Sequence, residues 1–231
     1  MKLVIGNKNY SSWSMRPWVL LTQFDLPFEE VMARFDGFDG DSSFKRQIGA
    51  LSGAGKVPVL VDDDGFVVWD TLAIAEFVAD KFPAAALWPR DAKQRARARS
   101  LCAEMHSGFG ALRNLFGMNI EASLPEVGVR ILEQEPAVRA DLARIEQMWT
   151  ALLSQHGGPF LFGARFTIPD AFFAPVCTRL RTYRPPLSPQ VAAYVETMHG
   201  QPGLRAWVAD ALAEKDFISF DEPYRTQPAA R

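Results

Sequence analysis

The strongest constraint on what this chain can fold into is a change of pattern at Phe82-Pro83-Ala84-Ala85-Ala86-Leu87-Trp88-Pro89. Two prolines so close together stop any helix that enters, because proline lacks the N–H a helix interior uses and restricts the residue before it. Before the break, apolar runs of strand length alternate with helical spacing; beyond it only helical spacing recurs. The first part reads as strands at 2–6, 29–34, 57–61 and 66–69 and helices at 14–25, before 50 and at 71–82. The second reads as helices at 91–116, 126–134, 137–156, 168–181, 188–199 and 202–214. The expected architecture is an α+β domain over 1–82 in the order βαβ-α-ββα, a linker over 83–90 and an all-α bundle over 91–231, with a frayed tail over 227–231.

Charge and composition remove several classes of function. With 48% apolar and 23% charged residues, the 231-residue chain has the makeup of a globular protein. A net charge of −2 gives no general attraction for nucleic acid or an anionic membrane. Basic residues do gather at Arg90, Lys93, Arg95, Arg97 and Arg99, where their wide angular spread suits a solvated helix face. The two cysteines, Cys102 and Cys177, lie in separate helical segments, without the spacing of a disulfide framework or a zinc site. No signal-peptide core and no run of about 20 apolar residues is present, so a cytoplasmic protein without a membrane span is expected.

Three places carry chemistry. In Asn7-Lys8-Asn9-Tyr10-Ser11-Ser12-Trp13-Ser14-Met15-Arg16-Pro17-Trp18, an apolar strand gives way to a helix whose first turn bears hydroxyls. Helix starts leave N–H groups unpaired and carry partial positive charge, so an anion such as a thiolate is stabilised there. The segment Gly53-Ala54-Gly55-Lys56-Val57-Pro58 fails as a phosphate loop, since Val57 replaces the Ser or Thr and a strand follows instead of a helix. It suits a loop entering an edge strand, where Pro58 leaves neighbouring backbone groups free; with a cis Val57-Pro58 bond they can receive an extended peptide. At Trp69-Asp70-Thr71 a strand ends and a helix starts, with Thr71 as the expected cap. The helix-start N–H groups can take a ligand carboxylate while Asp70 accepts from an ammonium, which together recognise an amino-acid head group. The turn Asp62-Asp63-Asp64-Gly65 is a hairpin turn, and no later acidic ligand completes a calcium loop.

Together with Thr167-Ile168-Pro169-Asp170, placed to open a buried helix with a capping box, these segments resemble the glutathione transferase superfamily over nearly the whole chain. The serine-bearing loop is most similar to the bacterial serine-type enzymes of the zeta class, which includes maleylacetoacetate isomerases. It differs from them in Trp13, where zeta enzymes carry cysteine, and in Pro17-Trp18 within the first helix.

The resemblance implies a thioredoxin-like first domain that binds glutathione, with no metal. Lys56, Val57 and Pro58 would hold its cysteinyl part, and Asp70 and Thr71 its γ-glutamyl end. Ser11 would donate to the sulfur, with Ser12 as second candidate and Tyr10 as third, because other classes use tyrosine. A thiol ordinarily titrates near about 8.5, and one O–H donor plus a helix start favours the thiolate. Conjugation to an apolar electrophile is the implied reaction; zeta-type isomerisation or peroxide reduction, or a non-catalytic interaction module, are the alternatives. Mixed-disulfide chemistry would need a cysteine in the serine loop. The acceptor would lie between the loop from Tyr10 to Trp13 and the long helix bearing Met105, His106, Phe109, Arg113 and Phe116, residues that also suit a packed core; Arg179 and Tyr183 are weaker candidates. A homodimer is implied as well.

Overall fold

The computed structural model describes residues 1–228, so residues 229–231 of the expected frayed tail lie outside it. Four strands, β1 (Lys2–Ile5), β2 (Glu29–Met32), β3 (Val59–Val61) and β4 (Val67–Trp69), form one sheet in the order β2-β1-β3-β4. Helix α1 (Ser12–Gln23) crosses from β1 to a parallel β2, whereas β3 runs antiparallel to β1 and β4 antiparallel to β3. Alternation along the strands divides two apolar layers. Leu3, Ile5 and Leu60 face α1 and α3 (Thr71–Lys81), and Val4 and Val59 face Phe44 and Ile48 of α2 (Ser43–Gly49). Gly6 lets the chain pass Phe35, since a Cβ there would stand 2.3 Å from the ring.

Two expectations about the sheet change. The strand expected at 57–61 begins only at Val59, because Pro58 has no N–H for the ladder; the Val57-Pro58 bond is cis. Nor does it lie at an edge: β3 is flanked by β1 and β4, so Pro58 sits at a strand start inside the sheet.

After a single turn at Pro83–Ala85 the chain is helical: α4 (Ala92–Ser107), α5 (Gly110–Leu115), α6 (Pro125–Gln134), α7 (Pro136–His156), α8 (Ile168–Tyr183), α9 (Pro189–His199) and α10 (Pro202–Glu214). The expected helix 91–116 is two helices, because Phe109 adopts a left-handed conformation (φ 55°, ψ 36°). Its ends are capped by side chains: Arg113 Nε donates to the Gly108 carbonyl at 3.1 Å, and Asp141 of α7 accepts from Leu112 N at 2.9 Å. Helix α8 is buried almost throughout and packs on α1 and α4. Its capping box closes as expected, with Asp170 accepting from Thr167 N at 2.8 Å and Thr167 Oγ1 at 3.0 Å. Asp170 also receives Leu161 N and Tyr194 OH, yet full burial raises its carboxyl to about 6.

Candidate active site

A cavity of about 310 Å³ lies where the two halves meet, lined by Trp13, by Ala54, Lys56, Val57 and Pro58, by Trp69, Asp70 and Thr71, and by His106 and Arg113 from the helical half. The three segments singled out for chemistry therefore converge on one space.

Asp70 itself caps α3, its Oδ1 accepting from Leu72 N at 2.9 Å, and Thr71 occupies the first helical position instead of capping. Asp70 also carries φ 75°, a left-handed backbone rare outside glycine and frequent where function holds a residue in place. Its other oxygen lies 3.3 Å from His106 Nε2. Thr71 Oγ1 donates to the Trp13 carbonyl at 3.3 Å. That carbonyl is available because Pro17, four residues on, has no N–H to give it.

Trp13 is the hub of the helical side of the cavity. Its ring lies 4.1 Å from the Arg16 guanidinium and 5.3 Å from that of Arg113, with His106 edge-on at 5.2 Å. Arg16 is fully enclosed: Nε donates to the Phe172 carbonyl at 2.9 Å, Nη1 to the Ser12 carbonyl at 3.1 Å, and Nη2 has no partner among the described residues. Burial works against its charge, and Arg179 and Arg113 push the same way. A guanidinium nevertheless stays protonated at neutral pH, and the faces of Trp13 and Phe172 offset part of that cost.

The hydroxyls at the start of α1 do not line this cavity, although the next residue, Trp13, does. Ser11 Oγ and Ser14 Oγ share a 2.7 Å hydrogen bond, and Ser14 Oγ accepts from Gly6 N at 3.1 Å. Among the described residues Ser12 Oγ takes part in no hydrogen bond, while its carbonyl receives Arg16. Tyr10 turns the other way: its hydroxyl donates to Glu222 Oε1 at 2.6 Å and accepts from Ile218 N at 3.3 Å. Burial, with the Glu222 contact adding to it, raises that phenol to about 12.

Of the acceptor candidates, Trp13, His106 and Arg113 reach the cavity. Met105, Phe109 and Phe116 are core residues, Phe116 stacking on Tyr183 at 4.3 Å. Arg179 is buried and donates to the Phe116 and Pro175 carbonyls. Sequence alone does not mark Ser14, Arg16 or Glu222: Ser14 and Arg16 belong to the hydroxyl-bearing segment that enters α1, but nothing local marks a glutamate more than two hundred residues away. Among the described residues no group of three or more His, Cys, Asp or Glu could hold a metal ion, and no helix is long and apolar enough to cross a membrane.

The chain as a whole is similar to known proteins. Residues 10–81 match the glutathione S-transferase N-terminal domain and residues 94–210 the C-terminal domain. A probable maleylacetoacetate isomerase of Caenorhabditis elegans is 29% identical over 178 residues, 77% of this chain and 78% of that protein. Glutathione S-transferase GstA of Escherichia coli O157:H7 is 28% identical over 183 residues, covering 76% and 79%. A glutathione transferase homologue from Burkholderia GL BGR1, solved with bound glutathione, superposes with a TM-score of 0.67 at 26% identity, over 91% of this chain and 97% of that one. With both halves matched in order along one fold, the chain belongs to the glutathione S-transferase family.

Proposed function

We propose that the cavity binds glutathione and that the turn before α1 holds its sulfur as thiolate for attack on an electrophile. The observation that carries this reading is the convergence of the Lys56-Val57-Pro58 segment, the Asp70-Thr71 helix start and the start of α1 on one space. The ligand has an ammonium, two carboxylates and a thiol. Asp70 suits the ammonium, the start of α3 together with Thr71 one carboxylate, and the backbone around Val57, with Lys56, the cysteinyl part.

Ser11 is the first candidate for the sulfur. If Ser14 takes the Gly6 N–H and gives its own proton to Ser11, the Ser11 proton is left free to point outward, since hydroxyls rotate to suit their partners. Ser12, with its unengaged hydroxyl, is second; Tyr10 is third, its proton committed to Glu222.

Trp13, flanked by two guanidiniums with His106 alongside, favours an aromatic or carboxylate-bearing acceptor, and this supports isomerisation of an unsaturated acid as the second reading. The exposed face of Phe66 and Trp69, continuous with Val67, Leu72 and Ala73, is our candidate dimer surface, and light scattering should give twice 25.7 kDa. Two buried free thiols fit the reducing cytoplasm.

Titration calorimetry with glutathione tests the whole reading. Millimolar or tighter binding is expected, weakened about tenfold by Asp70→Asn, which removes one charge-assisted contact. A wild-type protein that shows no binding at millimolar ligand is a non-catalytic descendant of the fold.

A further inference from the structure

Asn7, Lys8, Asn9 and Tyr10 stand directly before the proposed thiolate turn, yet none of them lines the cavity. All four are buried and committed to the distant helical half. Asn7 Nδ2 donates to Asp216 at 2.6 Å, Lys8 N to both oxygens of Glu214 at 2.9 Å, and Asn9 Nδ2 to Asn119 Oδ1 at 3.0 Å. Glu222 is the centre of this clasp. It follows α10 in the tail, its side chain is 1% exposed, and each of its donors comes from a different segment. Oε1 receives Tyr10 OH at 2.6 Å, Oε2 receives Asn119 Nδ2 at 2.8 Å and Arg225 Nε at 2.9 Å, and Arg225 Nη2 reaches on to Glu121 at 3.0 Å.

The clasp is coupled to the serines through backbone. Tyr10 N and Ser11 N both donate to the Asn7 carbonyl, at 3.1 and 2.8 Å, and the Tyr10 carbonyl accepts from Ser12 N at 2.9 Å. Moving the Tyr10 ring therefore moves the frame on which Ser11 and Ser12 are carried. The tail is also held from a second side, where Phe220 packs edge-on against Phe38 at 5.1 Å.

We propose that Glu222 is a positioning residue for the thiolate turn: through Tyr10 it fixes where the serine hydroxyls stand, and so sets how firmly bound glutathione is kept ionised. The proposal rests on the glutathione reading above. A buried carboxylate held by donors from three residues, Tyr10, Asn119 and Arg225, keeps its geometry because any displacement leaves charge unpaired, which makes it a stiffer support than neutral packing.

The test is an ultraviolet titration of the thiolate in the glutathione complex, with Tm measured beside it, for wild type, Tyr10→Phe, Glu222→Ala, Glu222→Gln and Tyr224→Phe. Tyr10→Phe and Glu222→Ala should raise the titration midpoint by about half a pH unit or more with glutathione affinity within about twofold. Glu222→Gln, which keeps an acceptor for Tyr10, should restore most of the wild-type midpoint. Tyr224→Phe, which loses a bond to the Leu115 carbonyl elsewhere in the tail, should lower Tm and leave the midpoint unmoved. Unchanged midpoints in Tyr10→Phe and Glu222→Ala, whatever their Tm, overturn the proposal while leaving the glutathione reading intact. A rise with Tyr10→Phe and a fall with Glu222→Ala also overturn it, because freeing the phenol would then bring it to the sulfur as direct donor. If Glu222→Ala does not fold, Glu222→Asp takes its place, since the shorter side chain draws the acceptor back from Tyr10 and should likewise raise the midpoint; a fall there overturns the proposal. Wild-type protein that binds no glutathione removes both readings at once.

Discussion

At the scale of single residues, the chemistry assigned to the site depends on where one proton points. The chain from Gly6 N through Ser14 Oγ to Ser11 Oγ can deliver that proton to sulfur only if Ser14 is the donor in the 2.7 Å contact. Ser11→Ala should therefore raise the thiol midpoint of bound glutathione by about one pH unit, close to 1.4 kcal/mol of lost thiolate preference. Ser14→Ala should give a smaller rise, since it removes the orientation and leaves the donor. The ultraviolet thiolate titration checks both, and a shift confined to Ser12→Ala moves the assignment by one residue. The serines were legible in the sequence as hydroxyls at a helix start. Ser14 is not distinguished there because its contacts, Gly6 N and Ser11 Oγ, exist only in the fold, and Tyr10 stays a rival because a sequence cannot show that its phenol faces Glu222.

Between elements, the contact of α1 with α3 depends on what each of them lacks. Pro17 withholds the N–H that Trp13 would receive in an unbroken helix, and Thr71 supplies the missing donor from the next element. Thr71→Val removes that donor with little change in volume and should cost about 1 kcal/mol in denaturant unfolding without ligand. In a Pro17→Ala background the helix makes its own bond to Trp13, so the same substitution should cost clearly less. Equal costs in the two backgrounds would show that the proline and the threonine are not coupled. Element order was readable throughout, because periods of 2 and 3.6 and the proline break are local signals. The division of helix 91–116 was not: the apolar spacing runs straight across Gly108 and Phe109, and the break is held by Arg113 and by Asp141 of another helix. The interior place of β3 escaped for the same reason, since strand order depends on contacts between distant segments.

Across the whole molecule, the two halves share their polar contacts as well as their apolar core. Lys8, 3% exposed, reaches Glu30 at 2.7 Å and Asp210 at 2.5 Å beside the rings of Trp18 and Trp207, and Arg16 of α1 is tied to α8. With so much buried charge spanning the junction, acid should unfold both halves together, and His199 should contribute. Its Nε2 lies 3.2 Å from the Cys177 carbonyl, and Arg181 and Glu196 are the charged groups acting on it. Burial first, and Arg181 after it, lower the imidazole from 6.5 to about 4. Between those values the unfolded chain holds the proton and the folded one does not, so stability falls as pH drops from 6.5 towards 4. Asp170 acts in the opposite sense: raised to about 6, it takes its proton first in the folded state and supports the fold as pH falls. The two partly cancel in the wild type, so the difference between variants is the useful quantity. His199→Gln removes only the destabilising half, and its Tm should fall less than that of the wild type between pH 7 and about 4.5. Equal falls in the two proteins would assign the acid limb to the ion pairs of Lys8 at the junction instead of to His199.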